Sequence, residues 1–122
     1  MSESPLMESE YEDGRVVVRL SGEIDLSNVE SLESQIERAI GNVRDVVIDL
    51  TAIDFIDSAG LRLLKRISAA VSGRSASFAV VAPSKSIARS VIDVTRMGDE
   101  LAVRDSLHSA AGQSSSDERP LS

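Results

Sequence analysis

The sequence predicts a single α/β domain with a mixed, mainly parallel sheet of four or five strands flanked by helices. Two patterns favour this class. Apolar, β-branched runs typical of buried strands alternate along the 122 residues with segments whose apolar positions recur at helical spacing. Strands joined through helices need right-handed crossovers and therefore run parallel. An Asp-Gly pair near the start of the chain adds one antiparallel strand through a hairpin.

The opening hairpin is centred on Asp13-Gly14. A type I′ turn favours this pair because both central residues need positive φ angles. Behind the turn, residues 16–20 are mostly apolar and β-branched, as in a strand that is buried on both faces. We therefore expect the start of the chain to pair in antiparallel fashion with residues 16–20.

A helix is predicted after this strand. Ser27 and Glu30 have the spacing of a capping box, in which the serine hydroxyl binds an amide three residues on and the glutamate reaches back. Gly41 stands where a left-handed C-terminal residue is needed. The apolar positions between them keep a helical spacing: Val29, Leu32, Ile36, Ala39 and Ile40. Residues 46–50 then predict a second buried strand.

The second half of the chain repeats the alternation. Residues 51–57 are interpreted as the loop after the second buried strand, and residues 59–73 as the next helix. The remaining elements are, in order, a strand over residues 78–82 stopped by Pro83, a helix capped by Ser84 or Ser86 with Ile87, Ala88, Val91 and Ile92 inward, a short strand at Val103, and a terminal helix capped by Asp105 or Ser106 and running through residues 107–111.

Both ends of the chain are polar. Residues 1–6 and 112–122 cannot bury a core, so we expect a flexible N-terminus, a folded domain over residues 7–111 and a disordered tail. The net charge is −7, but residues 15–111 hold 13 acidic and 12 basic residues. A nearly neutral body does not support a nucleic acid or an anionic membrane as the partner.

Composition excludes several chemistries. The chain has no cysteine and one histidine, His108, so thiolate sites and histidine metal clusters are excluded. Glycine-rich nucleotide loops are absent, and we expect neither a cofactor nor a metal. No apolar run approaches the length that crosses a bilayer, and the N-terminus has no export signal, so a cytoplasmic location is expected.

Acidic residues cluster where two predicted strands end. Glu23 and Asp25 follow one strand, and Asp54, Asp57 and Ser58 follow the next. Ligands and switches of open parallel sheets lie beyond the carboxyl ends of the strands. Paired carboxylates could serve acid–base chemistry or bind magnesium. The alternative, which composition alone favours, is that these aspartates cap backbone amides in loops.

Ser58 stands immediately before the predicted helix over residues 59–73. Its hydroxyl is predicted to cap the amides of Gly60 and Leu61, and the same amides could hold a phosphoryl group. A role as catalytic nucleophile is poorly supported, because no Gly-x-Ser-x-Gly elbow or nearby base accompanies it. The helix also carries a basic strip, which is either a solvated face or a docking site: Arg62, Lys65 and Arg66.

Three motifs together resemble the STAS domain of anti-sigma factor antagonists. They are Ser-Gly-Glu-Ile-Asp-Leu at residues 21–26, Val-Val-Ile-Asp-Leu at residues 46–50, and Phe-Ile-Asp-Ser-Ala-Gly-Leu at residues 55–61. The first and third motifs at this separation are a strong signal, whereas either alone would be weak. The resemblance extends over residues 7–111.

The resemblance implies a binding module without catalysis of its own. In that family the serine of the Asp-Ser motif is phosphorylated by an anti-sigma factor with a kinase-like ATPase domain. The unphosphorylated form binds that partner and frees a sigma factor, and a phosphatase resets the switch. Ser58 matches the phosphorylated position and Asp25 the acidic position beside it, while Ala59 replaces a second serine. The implied partner surface includes Glu23, Asp25, Asp54, Asp57, Ala59, Gly60, Arg62, Lys65 and Arg66.

Two other functions stay open at this point. A receiver-like protein would phosphorylate an aspartate with magnesium and a late lysine, for which Asp49 and Lys85 are superficially suitable. However, such a protein needs an acidic pair directly after its first parallel strand, whereas Glu23 and Asp25 stand on alternate positions. The other alternative keeps the STAS fold as a scaffold of a stress-signalling assembly with a different partner.

Overall fold

The computed structural model describes residues 6–107, in which strands and helices alternate after an opening hairpin. The elements are β1 (Met7–Glu12), β2 (Arg15–Ile24), α1 (Val29–Ile40), β3 (Asp45–Ile56), α2 (Ser58–Gly73), β4 (Ser77–Val81), α3 (Ile87–Thr95) and β5 (Val103–Arg104). The strand order is β1-β2-β3-β4-β5. Strands β1 and β2 are antiparallel and all other pairs are parallel, so the predicted fold class is confirmed.

The hairpin turn has the predicted geometry. Asp13 has a φ of 49° and Gly14 a φ of 79°, so both central residues occupy the positive region that a type I′ turn needs. The chain leaves the turn with Glu12 and Arg15 paired. The Asp-Gly pair therefore sets the register in which β1 lies along β2.

The three helices share one core with one side of the sheet. Every crossover moves one strand along the sheet in the same direction, so crossovers of one hand place their helices on the same face. Val16 and Ile48 belong to this cluster together with the buried residues of α1, α2 and α3. The opposite side of the sheet buries a smaller cluster of valines, against which Leu107 packs: Val17, Val47 and Val81.

Strands β2 and β3 are longer than predicted. The interpretation of residues 51–57 as a loop is wrong for Thr51–Ile56, which continue β3 beside β2. The pairing passes two register shifts, between Arg19 and Ser21 and between Gly22 and Glu23. Such shifts break the two-residue alternation that reveals a strand in a sequence. Consequently Glu23 and Asp54 lie within strands and do not follow them.

The helix ends agree only in part with the predicted caps. Ser86 caps α3 by accepting the Arg89 amide at 3.1 Å, which confirms one of the two predicted serines. Ile87, predicted to point inward, is 49% exposed because α3 buries Ala88 and Ile92 instead. The predicted terminal helix lies outside the described residues except for Leu107, and His108 lies outside them as well.

Gly60 allows α2 to lie against the ends of β2 and β3. A Cβ atom at this position would stand 2.6 Å from Ile56 Cγ1 and 3.0 Å from Ile24 Cγ2. Real side chains do not approach so closely, so any larger residue would push the helix away from the sheet. The start of α2, including Ser58, therefore depends on glycine at position 60.

We predict that Gly60→Ala lowers the free energy of unfolding by about 1–3 kcal/mol, the usual cost of overpacking a core. Gly73→Ala is the matched control, because Gly73 ends the same helix and a Cβ there meets nothing within 4 Å. That substitution should be neutral or slightly stabilising, since alanine favours helices. Denaturant unfolding of both variants measures the difference. Equal stabilities would show that the close approach at Gly60 is not a constraint.

Candidate functional site

The candidate site lies where β2 and β3 end side by side. Ile24 pairs with Ile56 at the last position of both strands. The Asp57 amide then donates to the Ile24 carbonyl oxygen at 3.2 Å, which ties the two exits together. Asp25 and Asp57 therefore follow neighbouring strands at one edge of the sheet, and Ser58 comes next on the β3 side.

Asp57, and not Ser58, is the N-cap of α2. Its Oδ1 accepts the amides of Ala59 at 2.9 Å and Gly60 at 3.1 Å, and its carbonyl oxygen accepts the Leu61 amide at 3.1 Å. The prediction that Ser58 caps this helix is wrong by one residue. Both residue types are good caps, but a carboxylate also interacts favourably with the positive end of the helix dipole.

Ser58 is consequently the first residue of the helix and is exposed. Among residues 6–107, no hydrogen bond of the fold uses its hydroxyl. The side chain can be modified without breaking an interaction that holds the domain together. At the same time, the amides that were predicted to receive a phosphoryl group are already occupied by Asp57.

The loop between β2 and α1 is held by its own side chains. Asp25 Oδ1 accepts the Ser27 amide at 3.0 Å and the Ser27 hydroxyl at 2.6 Å. Asn28 accepts the Asp25 amide at 3.1 Å and donates through Nδ2 to the Glu23 carbonyl oxygen at 2.9 Å. These bonds fix the loop beside the start of α2.

The predicted capping box at the start of α1 is therefore wrong. Asn28 is the N-cap residue and makes no side-chain cap hydrogen bond, while the Ser27 hydroxyl is engaged by Asp25. The side chains of Ser27 and Asn28 make hydrogen bonds within the loop and none to the helix end. The spacing of Ser27 and Glu30 therefore does not produce a capping box. The predicted helix itself is confirmed. Gly41 has a positive φ of 49°, but its ψ of −125° lies outside the predicted left-handed conformation.

A groove lies between the N-terminal parts of α1 and α2, and we call it the α1–α2 groove. It has a volume of about 340 Å³ and is lined by Leu26, Val29, Glu30, Ala59, Arg62 and Arg66. Leu26 is 75% exposed at its rim. Sequence reasoning assigns no role to Leu26, because a single exposed apolar residue is common on protein surfaces.

The basic strip on α2 consists of three cations in different situations. Arg66 makes a two-pronged pair with Glu33 of α1, at 3.1 Å and 2.8 Å. Lys65 Nζ lies 3.8 Å from a Glu100 carboxylate oxygen. Arg62 is exposed and forms no ion pair with any of residues 6–107. The strip is thus not uniform, and Arg62 is its available charge.

Receiver-like chemistry finds no support in the arrangement around Asp49. This residue lies inside β3, and its Oδ1 accepts the Thr51 amide at 3.0 Å and the Thr51 hydroxyl at 2.6 Å. Lys85 lies in the turn before α3. Within residues 6–107 no group of three acidic or histidine side chains is arranged to bind a metal. In the same range, no helix is long and apolar enough to cross a membrane.

Comparison with known proteins identifies the family to which this fold belongs. A family model of the STAS domain matches residues 7–110. The anti-sigma-F factor antagonist RsfB of Mycobacterium tuberculosis is 34% identical over 99 residues, which are 80% of each chain. The chain belongs to the STAS family of anti-sigma factor antagonists. Its predicted membership is thereby confirmed.

Solved structures of STAS proteins have the same fold. The crystal structure of an anti-sigma factor antagonist from Mycobacterium paratuberculosis is 31% identical, with a TM-score of 0.74 over 88% of this chain and 91% of that chain. SpoIIAA in its unphosphorylated form has a TM-score of 0.69 over 95% of this chain and 98% of that chain. At 23% identity, the latter likeness concerns the fold alone.

The pair of Arg66 and Glu33 can be tested through the pKa of the Glu33 carboxyl group. The hydrogen bond from Arg66 lowers the pKa of Glu33. A carboxylate whose pKa is lowered by folding stabilises the STAS domain above its unfolded pKa, and this contribution is lost as the pH falls through the folded pKa. Arg66→Gln should therefore raise the pKa of Glu33 and make stability less dependent on pH in the acidic range.

Carboxyl NMR titration of Glu33 measures this change. Lys65→Gln is the matched control, because it removes one positive charge from the same helix without touching the Glu33 pair. It should leave the pKa of Glu33 nearly unchanged. An identical Glu33 titration in the parent domain and in Arg66→Gln would contradict the assigned pairing of α1 with α2.

Proposed function

We propose that this STAS domain is an anti-sigma factor antagonist controlled by phosphorylation of Ser58. Its unphosphorylated form binds an anti-sigma factor with a kinase-like ATPase domain in the cytoplasm and thereby releases a sigma factor. The partner phosphorylates Ser58, which ends binding, and a phosphatase restores the active form. The observation that carries the proposal is an exposed serine that the fold does not use, at the edge where β2 and β3 end.

The phosphoryl transfer needs little from this chain beyond access. Ser58 Oγ would form a bond to the γ-phosphorus of ATP, the bond to ADP would break, and the hydroxyl proton would go to a base. We assign that base to the partner, because the Asp57 carboxylate next to Ser58 caps the helix, with Oδ1 accepting two amides. This division of roles is consistent with a substrate protein that has no catalytic centre of its own.

The switch is proposed to act on docking and not on the fold. Phosphorylation adds a charge of about −1.5 to −2 at pH 7. The N-terminal end of a helix tolerates such an anion, since the helix dipole favours a negative charge there by roughly 0.3–1 kcal/mol at an exposed site. In an interface, however, the phosphate would be buried next to Asp25 and Asp57. Burying unpaired like charge costs several kcal/mol, and each 1.4 kcal/mol is tenfold in affinity.

The proposed partner surface combines this edge with the α1–α2 groove. Its acidic part is Glu23, Asp25, Asp54 and Asp57, and its helical part is Ser58, Ala59, Gly60, Arg62, Lys65 and Arg66. Gly60 acts indirectly, because it is buried and positions the helix. Arg62 is available to bind a partner, whereas Arg66 would first have to give up its ion pair with Glu33. Leu26 adds an apolar contact at the rim of the groove.

The central test is the affinity for the anti-sigma factor that co-purifies from the native cell with Ser58→Ala as bait. Calorimetry should show binding by the unmodified domain and by Ser58→Ala. The phosphorylated domain should bind about a hundredfold more weakly or worse. Ser58→Glu should reproduce part of this loss, because a carboxylate carries less charge and fewer oxygens than a phosphate.

Ser72→Glu is the matched control for this series. It adds the same carboxylate to an exposed serine at the other end of α2, far from the sheet edge. Its affinity should equal that of the unmodified domain. If the phosphorylated and unmodified domains bind the partner equally well, the switch is refuted. Recovery of a partner that is unrelated to sigma factor control would instead favour a scaffold role.

A further inference from the structure

We propose that Arg62 is the counter-cation of phosphorylated Ser58, so that phosphorylation withdraws a positive charge from the α1–α2 groove while it adds a negative one. This inference rests on the proposed function for the presence of a phosphate at Ser58. It concerns what the phosphate does within this chain, and it can be tested without the partner.

The spacing of the two residues brings them together. Ser58 and Arg62 are four residues apart in α2, and both are exposed. Residues at this spacing are neighbours on a helix surface, with Cβ atoms roughly 5–6 Å apart. The order is the favourable one, with the anion nearer to the helix N-terminus than the cation. Arginine presents a planar fork of donors that matches the oxygens of a phosphate.

The three backbone amides that follow Ser58 are already engaged. The amides of Ala59 and Gly60 donate to the Asp57 side chain, and the Leu61 amide donates to the Asp57 carbonyl oxygen. A phosphate on the first residue of the helix would therefore have to displace a cap to reach them. It is more favourable for the phosphate to take a donor that has no partner.

The other two cations of the basic strip are also less suitable. Arg66 is held in its two-pronged pair with Glu33, and Lys65 lies near Glu100. Lys65 is also about 10 Å from Ser58 along the helix axis, against about 6 Å for Arg62. Arg62 has no ion pair within the described part of the chain. It is thus the cation that combines short reach with availability.

Three carboxylates belong to the same part of the surface and oppose a second anion. Asp57 lies at the helix start, Asp25 follows β2, and Glu30 stands on the α1 wall of the groove with Arg62 opposite. Each of them raises the pKa of a nearby phosphate, whereas Arg62 lowers it. The titration of the phosphate therefore reports whether Arg62 makes the pair.

The experiment installs phosphoserine at position 58 during translation and follows the second phosphate pKa, ordinarily about 6, by phosphorus NMR. Arg62→Gln should raise this pKa by about 0.15–0.4 units, the shift that corresponds to a helical ion pair of about 0.2–0.5 kcal/mol. Arg62→Lys should restore part of the difference. The Arg62 Nε–H resonance should also shift on phosphorylation of the parent domain and return in part when the dianion takes up a proton to become the monoanion.

Lys65→Gln is the matched control, because it removes the same charge from an exposed position on the same helix. Its effect on the phosphate pKa should be less than a third of that of Arg62→Gln. Equal effects of the two variants would mean that only net charge matters and would overturn the pairing, as would no effect of Arg62→Gln. Because no kinase or partner takes part, failure of the binding switch and failure of this pairing are separate results.

Discussion

The cap that Asp57 provides is the interaction on which the rest of the site depends. Its carboxylate and carbonyl oxygen accept hydrogen bonds from three amides in the first turn of α2. Its own amide donates a hydrogen bond to the last residue of β2. A single residue thus joins two strands and a helix at the edge of the sheet. Gly60 lets the helix lie close enough for these bonds to form. Ser58 is left on the surface with a hydroxyl that the fold does not need.

This division between neighbouring residues explains how a modification can be local. If Ser58 were the cap, a phosphate on it would have to replace the hydroxyl as the acceptor for the first helix amides, so each phosphorylation would rearrange the start of the helix. With Asp57 as the cap, the phosphate that we propose on Ser58 would be added beside an intact helix end. Its effect would then be confined to surface charge, which decides binding when a partner buries that surface. In the pairing that we propose, Arg62 would extend the effect along the groove through its side chain alone.

Much of the fold could be predicted from the sequence, because local chemistry specifies it. Asp13-Gly14 dictates a turn, and the apolar runs and helical periods of the remaining chain dictate alternating strands and helices. The errors arise where a distant contact, or a competing side chain nearby, decides between local options. Strand β3 continues beside β2 through residues whose sequence resembles a loop, because two register shifts interrupt the alternation of apolar and polar residues. Asp57 competed successfully with Ser58, and Glu33 on another helix engaged Arg66, which no pattern within α2 could reveal.

The most direct test of a local switch is a residue-by-residue comparison of amide NMR shifts and hydrogen exchange between the unmodified and Ser58-phosphorylated domains. The Asp57 cap predicts that shifts change only around residues 25–28 and 57–62. It also predicts that the amides of Ala59 and Gly60 keep their protection, because their acceptor is not the modified side chain. Shift changes spread through the whole sheet, or loss of protection at these two amides, would contradict the account and require a conformational switch.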